Sequence, residues 1–498
     1  AKAYYLFQRI CLIISDLIWG GTFMHELQYV PAMLWVVITY MVVMILVGGY
    51  FYNKAKRAGN ESKEDFLLAG RSLGKIVIIG TIFATYLGGG TVTGGGNSLA
   101  YNFGIWPGIC FMLPPIISLS VLYILSAKIR ESGCYTIAEL LEKKFGGMAR
   151  TIAAAIIAIS FISIVSFQYR GLGFVLNTTT GLPITTCTII CTVIVIILAY
   201  SGGLKTVATT DAMSAFLMLI GIGAAVPMLL AKVGGIEWVR ATATAEQLSF
   251  LGGQSFWGWL GAYLPLTFLT IGDQNFYQRI NAAKDLKTAR AGLIGCLIAS
   301  LIVMPLIAVI SFIGRLYFGS NIAAGQSLIA TASLLPVFWG GLLLSAASAF
   351  IITTADSFLL SASSNFTVDI YTKVINPHAS EKEQMWATRM FIAGAGILAY
   401  VILQFYPSIL AVQYMSYTIS GCAITPAVVS VLVWPRVTKF GGIASMVCGT
   451  IATVIWEVLK YPYGIQTIYI ALPVSIVVLI LGSVCTQPNT ETYGADNI

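Results

Sequence analysis

Long apolar runs follow one another along almost the whole chain, and they restrict its fold more than any other feature. A helix that crosses a membrane needs about 20 predominantly apolar residues. Twelve such runs are clear, and two more, 75–98 and 4–23, are interrupted by glycine and by charged residues respectively. Only 10% of the 498 residues are charged, against roughly 25% in soluble proteins. The chain is therefore predicted to be an all-α polytopic membrane protein with about 13–14 transmembrane helices.

Basic residues indicate how these helices are oriented. Of the lysines and arginines between the runs, 21 fall in one set of alternating loops and four in the other. Because cytoplasmic loops carry the positive excess, the chain is expected to be a multi-pass protein of the plasma or inner membrane with a cytoplasmic C-terminus. A short cytoplasmic surface helix is expected at 136–145, and an interfacial one at 327–335. The run 4–23 is expected to be either an amphipathic or a spanning helix. The predicted spans are 33–53, 75–98, 102–127, 149–176, 183–201, 207–231, 256–280, 288–314, 337–365, 385–404, 408–433, 441–459 and 466–485.

Several classes of function are poorly supported. The net charge of +8 is spread over short loops and forms no basic face, so no nucleic-acid partner is expected. The nine cysteines and two histidines form no metal-binding pattern. The glycine-rich stretch lacks the GK[ST] ending of a phosphate-binding loop. We therefore expect a protein that is not an enzyme, and no obligatory protein partner is evident.

Six glycines interrupt the run 75–98 in its outer half, as the triplets 88–90 and 94–96. Glycine costs about 1 kcal/mol per helical position relative to alanine, so two triplets favour an unwound segment. Unwound backbone at membrane depth persists only where it lines protein or a water-filled cavity, and its freed carbonyls can bind a cation. The alternative is close helix packing through small residues.

Four charged residues within the predicted spans, three of them acids, are candidates for a function. Such residues usually face a cavity, a partner or an ion. Asp211 lies near the cytoplasmic start of its span, which also suits an interfacial position, and Asp273 could pair with Arg279. Asp356 lies deep in its span with hydroxyl groups on both sides. Arg170, near the outer end of its span, either extends toward the interface or binds an anionic group of a substrate.

Hydroxyl side chains crowd the helix that carries Asp356. Thr353, Ser357, Ser361 and Ser364 follow i, i+4, i+8, i+11 spacing and therefore share a face. Hydroxyl and carboxylate oxygens suit a hard cation, although serine and threonine also bond back to their own helix. The pattern with Asp356 favours an alkali-ion site.

Five motifs in order resemble the sodium:solute symporter family over about residues 33–460. They are FLLAGRSL (66–73), SGGLKTVATTDAMS (201–214), GDQNFYQRINAAKD (272–285), SASSNFTVDIY (361–371) and VQYMSYTISG (412–421). The resemblance implies a LeuT-type fold, with inverted five-plus-five helix repeats at 75–231 and 256–433. Flanking regions would be 1–74 and 434–498.

The resemblance also implies sites for one or two sodium ions. The family's common sodium site corresponds here to the carbonyl groups of Ala84, Leu87 and Phe350 and the hydroxyl groups of Thr353 and Thr354. A second sodium or proton site corresponds to Asp211, Asp356 and Ser357. The acid at 356 is similar to the choline-transporter branch and departs from the sugar-transporting pattern.

Seven residues are similar in position to the family's solute site. Asp273 stands where the choline branch has a tryptophan, whereas the Asp-Gln pair 273–274 resembles sugar carriers. The solute is therefore expected to be small and polar, either sugar-like or amine-bearing. The implied solute-binding residues are Tyr86, Thr91, Asp273, Gln274, Gln413, Ser416 and Tyr417.

These features predict a sodium-coupled secondary active symporter that imports its solute by alternating access. The alternatives are a proton-coupled carrier, an uncoupled facilitator or channel, and a solute sensor on the same scaffold. Solute flux that ignores external sodium would indicate a facilitator, and solute binding without net transport would indicate a sensor.

Overall fold

The computed structural model describes residues 26–57, 68–201, 204–406 and 408–487, which are almost entirely helical and contain no strand. The predicted run 4–23 lies outside the described residues. The helices are α1 (Pro31–Arg57), α2 (Lys75–Tyr86), α3 (Gly95–Phe103), α4 (Ile105–Ile109), α5 (Leu113–Ser132), α6 (Ile137–Phe145), α7 (Gly147–Thr180), α8 (Ile184–Ser201), α9 (Leu204–Val233), α10 (Gly235–Thr242), α11 (Phe256–Gly261), α12 (Leu264–Ile271), α13 (Gln274–Ala282), α14 (Leu286–Phe318), α15 (Ser327–Ala330), α16 (Val337–Asn365), α17 (Glu381–Leu403), α18 (Ile409–Ala423), α19 (Thr425–Val433), α20 (Lys439–Val458) and α21 (Ile468–Cys485).

The number of long apolar helices confirms a multi-pass membrane protein. Within the described ranges, ten helical segments are long and apolar enough to cross a membrane, and the bent α2–α3 pair makes eleven. Two further apolar segments, 184–200 and 256–271, are shorter. Every predicted run from 33 to 485 is therefore largely helical. In the runs 183–201 and 256–280, the apolar helix is shorter than a typical membrane span.

The run 75–98 is broken, as its glycines predict. Helix α2 ends at Tyr86, a wide turn of π-helix covers Gly90–Gly94, and α3 continues from Gly95. The two helical parts are bent by 44°. Backbone groups around residues 87–90 therefore leave the regular helical ladder inside the protein.

The run 256–280 contains a second break, which the family resemblance implies but no glycine cluster in the run indicates. Helix α12 ends at Ile271, and Asp273 caps α13, with its Oδ1 accepting a hydrogen bond of 2.8 Å from the N–H of Asn275. Across the break, the Thr425 hydroxyl donates to the carbonyl of Phe268 at 2.5 Å. A polar cap and a contact from α19 therefore end α12 within the predicted span.

Of the two short helices predicted outside the spans, 136–145 is found at the surface and 327–335 is not. The predicted surface helix is confirmed as α6, which begins after Thr136, whose hydroxyl caps the N–H of Glu139 at 3.0 Å. The stretch 327–335 was expected at the interface, but most of it is buried. Asn97 of α3 accepts a hydrogen bond of 3.0 Å from the N–H of Leu328, which is fully buried. A contact with the outer half of the broken helix therefore holds this stretch inside.

Packing places both broken helices in the middle of the molecule. Helix α2 packs against α9 and α14, and α12 packs against α18. Helix α16 packs against α7 and α9 and also touches α2. The breaks are thus enclosed by helices that can present side chains to them.

Candidate functional site

Oxygen atoms from α2 and α16 meet beside the first break. The hydroxyl of Thr353 lies 3.2 Å from the carbonyl oxygen of Ala84 and 3.4 Å from that of Phe350. The hydroxyl of Thr354 lies 3.4 Å from the same Ala84 oxygen. We call these four groups the oxygen cluster. It brings together four of the five residues that the sequence predicts for the common sodium site.

Leu87, the fifth predicted residue, ends α2. Its backbone dihedrals, φ −89° and ψ 89°, are not helical, so its carbonyl turns out of the helical ladder. The oxygen cluster consists of neutral carbonyl and hydroxyl oxygens, which are ligands that a hard cation accepts. The donor set therefore fits sodium, and its occupation by sodium stays a prediction.

A glycine keeps the break close to Thr354. A Cβ atom at Gly88 would lie 2.3 Å from the Thr354 hydroxyl oxygen and 2.7 Å from its methyl carbon. Such contacts are too short to persist without displacement of Thr354. The glycine triplet therefore permits the close approach of α2 and α16 as well as the break.

Gly88→Ala is expected to raise the sodium concentration for half-maximal transport several-fold, because the added methyl group displaces Thr354. Gly96→Ala is the matched control, since a Cβ there meets nothing nearer than 3.5 Å. Sodium-dependent solute uptake into proteoliposomes measures both. Equal effects of the two substitutions would show that helix propensity, and not the contact with Thr354, governs the site.

Side-chain amides hold the broken segment from two neighbouring helices. Gln413 of α18 donates to the carbonyl of Gly90 at 2.9 Å and accepts from the N–H of Gly95 at 2.8 Å. Gln168 of α7 accepts from the N–H of Gly89 at 3.0 Å. The sequence analysis missed Gln168, although a fully buried glutamine in an apolar span was a usable signal.

The other predicted solute residues divide into two groups. Tyr417 lies beside the break, because a Cβ atom at Gly90 would be 2.2 Å from its hydroxyl oxygen. Tyr86 packs edge-on against Phe276 of α13, with ring centroids 5.9 Å apart. Thr91, within the wide turn, is buried. These residues join the two broken helices and α18 in one region.

Gln274 and Ser416 are engaged elsewhere. The Gln274 side chain accepts from the N–H of Ile137 at 3.3 Å and donates to the carbonyl of Ser361 at 3.4 Å, so it ties α13 to α6 and α16. The Ser416 hydroxyl bonds back to the carbonyl of Val412 at 2.6 Å. The side-chain groups predicted to bind solute at these two positions are thus engaged within the protein.

The hydroxyl face of α16 contacts α13 over most of its length. The Ser361 hydroxyl bonds with the side-chain amides of Asn275 at 2.6 Å and Gln278 at 2.8 Å. Ser364 bonds back to the carbonyl of Leu360 at 2.7 Å. Only the Thr353 end of this face belongs to the oxygen cluster.

Arg279 occupies the centre of the predicted second cation site. Its guanidinium donates to Asp211 Oδ2 at 3.3 Å, to the Ser357 hydroxyl at 2.8 Å and to the Thr81 hydroxyl at 3.0 Å. Thr81 in turn donates to Asp211 Oδ2 at 2.7 Å. Arg279 and Asp211 are each 1% exposed.

This pair corrects three expectations. Asp211 is fully enclosed, so the interfacial position was wrong. Asp273 caps α13, and Arg279 forms its ion pair with Asp211 instead. Arg279 was also counted among the basic residues of a loop, whereas its side chain is buried between α2, α9 and α16.

Asp356 lines a cavity of about 530 Å³ beside α1. We call this the side cavity. Asp211 and Thr353 also line it. Arg279 thus binds two of the three residues predicted for the second site, whereas Asp356 has no recorded bond to the guanidinium among the described residues.

Arg170 lies at a second cavity, of about 320 Å³, which Ser98 and Gly325 also line. Its guanidinium donates to the carbonyls of Leu403 at 3.4 Å and Tyr406 at 3.3 Å. The side chain is thus anchored at the end of α17, with part of its surface toward the cavity.

Comparisons with known proteins agree with this geometry. A sequence model described as the sodium:solute symporter family matches residues 66–449. High-affinity choline transporter 1 of Caenorhabditis elegans is 26% identical over 454 residues, which cover 84% of this chain and 77% of the relative. Sodium/glucose cotransporter 1 of Oryctolagus cuniculus is 26% identical over 536 residues, covering 92% and 79%.

Solved structures share the fold. A Na+-coupled sialic acid symporter in a substrate-bound outward-open state superimposes with a TM-score of 0.77 at 19% identity, covering 92% of this chain and 98% of that one. A nucleobase-cation-symport-1 family transporter in a closed conformation gives 0.59 at 10% identity, covering 85% and 95%. The predicted LeuT-type architecture is confirmed at this level.

Proposed function

Since this chain belongs to the sodium:solute symporter family, we propose that it imports a small polar solute with sodium as the coupling ion. The oxygen cluster carries the proposal. It joins the carbonyl of Ala84, at the end of a broken helix, to the hydroxyls of Thr353 and Thr354 on α16. An ion bound there would hold α2 and α16 together.

Coupling follows from linkage. A ligand shifts a conformational equilibrium only by the difference in its affinity for the two states. Sodium at the oxygen cluster favours the conformation in which α2 meets α16, and the broken helix in that conformation presents Gly90 to Gln413 and Tyr417. Solute bound at the break therefore stabilises the state that sodium stabilises, and an inward sodium gradient drives uptake by alternating access.

The solute site of the proposal lies between the two breaks and α18. Tyr86, Thr91 and Tyr417 supply aromatic and hydroxyl surface, Gln413 supplies an amide, and Asp273 supplies a carboxylate at the second break. A carboxylate accepts hydrogen bonds from a hydroxyl group and also binds an ammonium group. Both a sugar-like and an amine-bearing solute suit this set, as the choline and glucose transporters among the relatives illustrate.

Asp273→Asn is expected to distinguish the two solute classes, because asparagine also caps helices but has no charge. For an amine-bearing solute, the substitution removes a charged hydrogen bond that contributes about 1.5–3 kcal/mol to binding. The KM is therefore expected to rise by about 10–100-fold. For a sugar-like solute, KM rises by a smaller factor, because the asparagine oxygen still accepts a hydrogen bond from the solute hydroxyl and only the charge assistance is lost.

Uptake kinetics of both variants in proteoliposomes provide the measurement. Asp273→Ala serves as the comparison that removes the cap as well. A loss of sodium affinity equal to the loss of solute affinity would contradict a role of Asp273 in solute binding.

The geometry supports one sodium ion in this conformation. Arg279 already binds Asp211 and Ser357, so a second cation could use them only after the guanidinium leaves. We further propose that the repeats are 75–231 and 256–433, each containing one broken helix, and that the chain lies in the plasma or inner membrane with its C-terminus in the cytoplasm.

Proteoliposome uptake tests the whole proposal. A screen of polar metabolites by thermal shift, with and without sodium, first identifies a solute. An inward sodium gradient is then expected to accumulate that solute, and an equal potassium gradient is not. Accumulation that follows a proton gradient instead would support a proton-coupled carrier. Flux without sodium dependence would support a facilitator, and binding without flux a sensor.

A further inference from the structure

The side cavity is large enough to hold an organic ligand. Its volume of about 530 Å³ lies within the range of about 300–1,000 Å³ that small-molecule sites occupy. It is bounded by α1 on one side and by α8, α9, α16 and α17 on the other. Thr353 of α16 lines the side cavity and also belongs to the oxygen cluster.

The walls of the cavity toward α1 are apolar and open outward. Met41, Met44 and Ile45 line it, and Ile45 is 53% exposed on the surface of the molecule. Gly48 and Gly49 line it without side chains, and a Cβ atom at Gly49 would meet nothing within 4 Å. The opening thus lies between apolar side chains on a surface that faces lipid.

The inner end of the cavity is acidic. Asp356 Oδ1 is buried and has no hydrogen-bond partner among the described residues. No ion pair within the described ranges reaches Asp356, whereas the neighbouring Asp211 pairs with Arg279. Arg389, also on the cavity wall, stacks its guanidinium over the Tyr200 ring at 5.4 Å from the centroid. Asp356 at the inner end therefore has no ion-pair partner among the described residues.

A carboxylate in apolar surroundings is costly unless a cation or a hydrogen-bond donor meets it. An inorganic ion would contact Asp356 but not the methionine and isoleucine side chains. An organic cation can contact both Asp356 and these apolar side chains. We propose that the side cavity binds a single-chain amphiphile with an ammonium head group. The ammonium donates to Asp356, and the alkyl chain lies along Met41, Met44 and Ile45 toward the lipid.

Binding there has a consequence that rests on the proposed function. Thr353 lines the side cavity and also belongs to the oxygen cluster. Asp356 follows it by three residues on α16, and residues at this spacing are neighbours on a helix. A positive head group at Asp356 therefore repels sodium at the oxygen cluster, and by linkage sodium weakens binding of the amphiphile by the same factor.

Radiolabelled dodecylammonium is the probe, with the purified full chain in phosphatidylcholine nanodiscs and potassium buffer. Saturable binding is expected that unlabelled dodecylammonium displaces and that dodecanol and dodecyl sulfate do not. Asp356→Asn is expected to weaken it at least tenfold. Glu131→Gln, the same change at an exposed position, leaves it unchanged. Unaltered binding by Asp356→Asn, or equal displacement by dodecanol, would overturn the proposal.

A second variant tests the cavity independently, in case Asp356→Asn fails to fold. Gly49→Phe places a ring at the part of the cavity wall that α1 forms. It is expected to reduce dodecylammonium binding while gel-filtration behaviour stays normal. Unchanged binding by a well-folded Gly49→Phe would place the amine outside the cavity. Sodium titration then tests the linkage alone: weaker amine binding in sodium supports it, and no change overturns the linkage while the amine site stands.

Discussion

Thr354→Val is expected to raise the sodium concentration for half-maximal transport by about 10–100-fold, because one contact between a cation and an oxygen ligand contributes about 1.5–3 kcal/mol. Valine keeps the shape of threonine, so the methyl group beside Gly88 stays in place. The carbonyl of Ala84 loses one of its two hydroxyl neighbours. The expected defect is therefore in ion binding, with packing largely preserved.

Initial rates of solute uptake across a range of sodium concentrations measure the effect. Thr354→Ser should stay within a few-fold of the wild type, because the hydroxyl is retained. Ser363→Ala on the same helix is the matched control, since its hydroxyl only bonds back to the carbonyl of Leu360. An unchanged sodium dependence in Thr354→Val would remove the oxygen cluster as the site of the coupling ion.

Arg279→Gln is expected to lower the free energy of unfolding by about 3–5 kcal/mol, because removing one member of a buried ion pair leaves the other charge uncompensated. Asp211 is 1% exposed and would keep only Thr81 as a donor among its present partners. The loss also frees the Ser357 hydroxyl, so α13 is no longer tied to α9 and α16 at this point.

Chemical denaturation in mixed micelles compares Arg279→Gln with Arg240→Gln, a change at an exposed arginine of α10 for which little effect is expected. The double variant Arg279→Gln, Asp211→Asn should recover part of the lost stability, since both charges are then absent. A double variant no more stable than Arg279→Gln alone would show that the ion pair is not the source of the effect.

The first break could be predicted from the sequence because its cause is local. Two glycine triplets weaken a helix wherever it is placed, and α2 does end just before the first of them. The second break has a different origin. A single glycine precedes Asp273, and the hydroxyl that bonds to the end of α12 comes from Thr425, more than 150 positions along the chain. No local pattern contains that contact.

The surroundings of Arg279 and Asp356 also depend on contacts between distant parts of the chain, which the sequence does not show. Arg279 lies among polar residues in the sequence, so its neighbours suggest a loop, and only the fold brings Asp211 to it across 68 positions. Helical spacing correctly grouped Thr353 with Ser357 and Ser361 on one face. It could not show that Asp356 borders a cavity, because that depends on where α1 packs. The membrane architecture, in contrast, follows from hydropathy alone.

The two hydrogen bonds of Gln413 span the interruption, one to Gly90 and one to Gly95. A single side-chain amide thus binds the backbone on both sides of the break in the helix. A solute hydroxyl or amine that replaced either hydrogen bond would release the helical segment that begins at Gly95 from Gln413. Solute binding and the release of that segment would then be a single event.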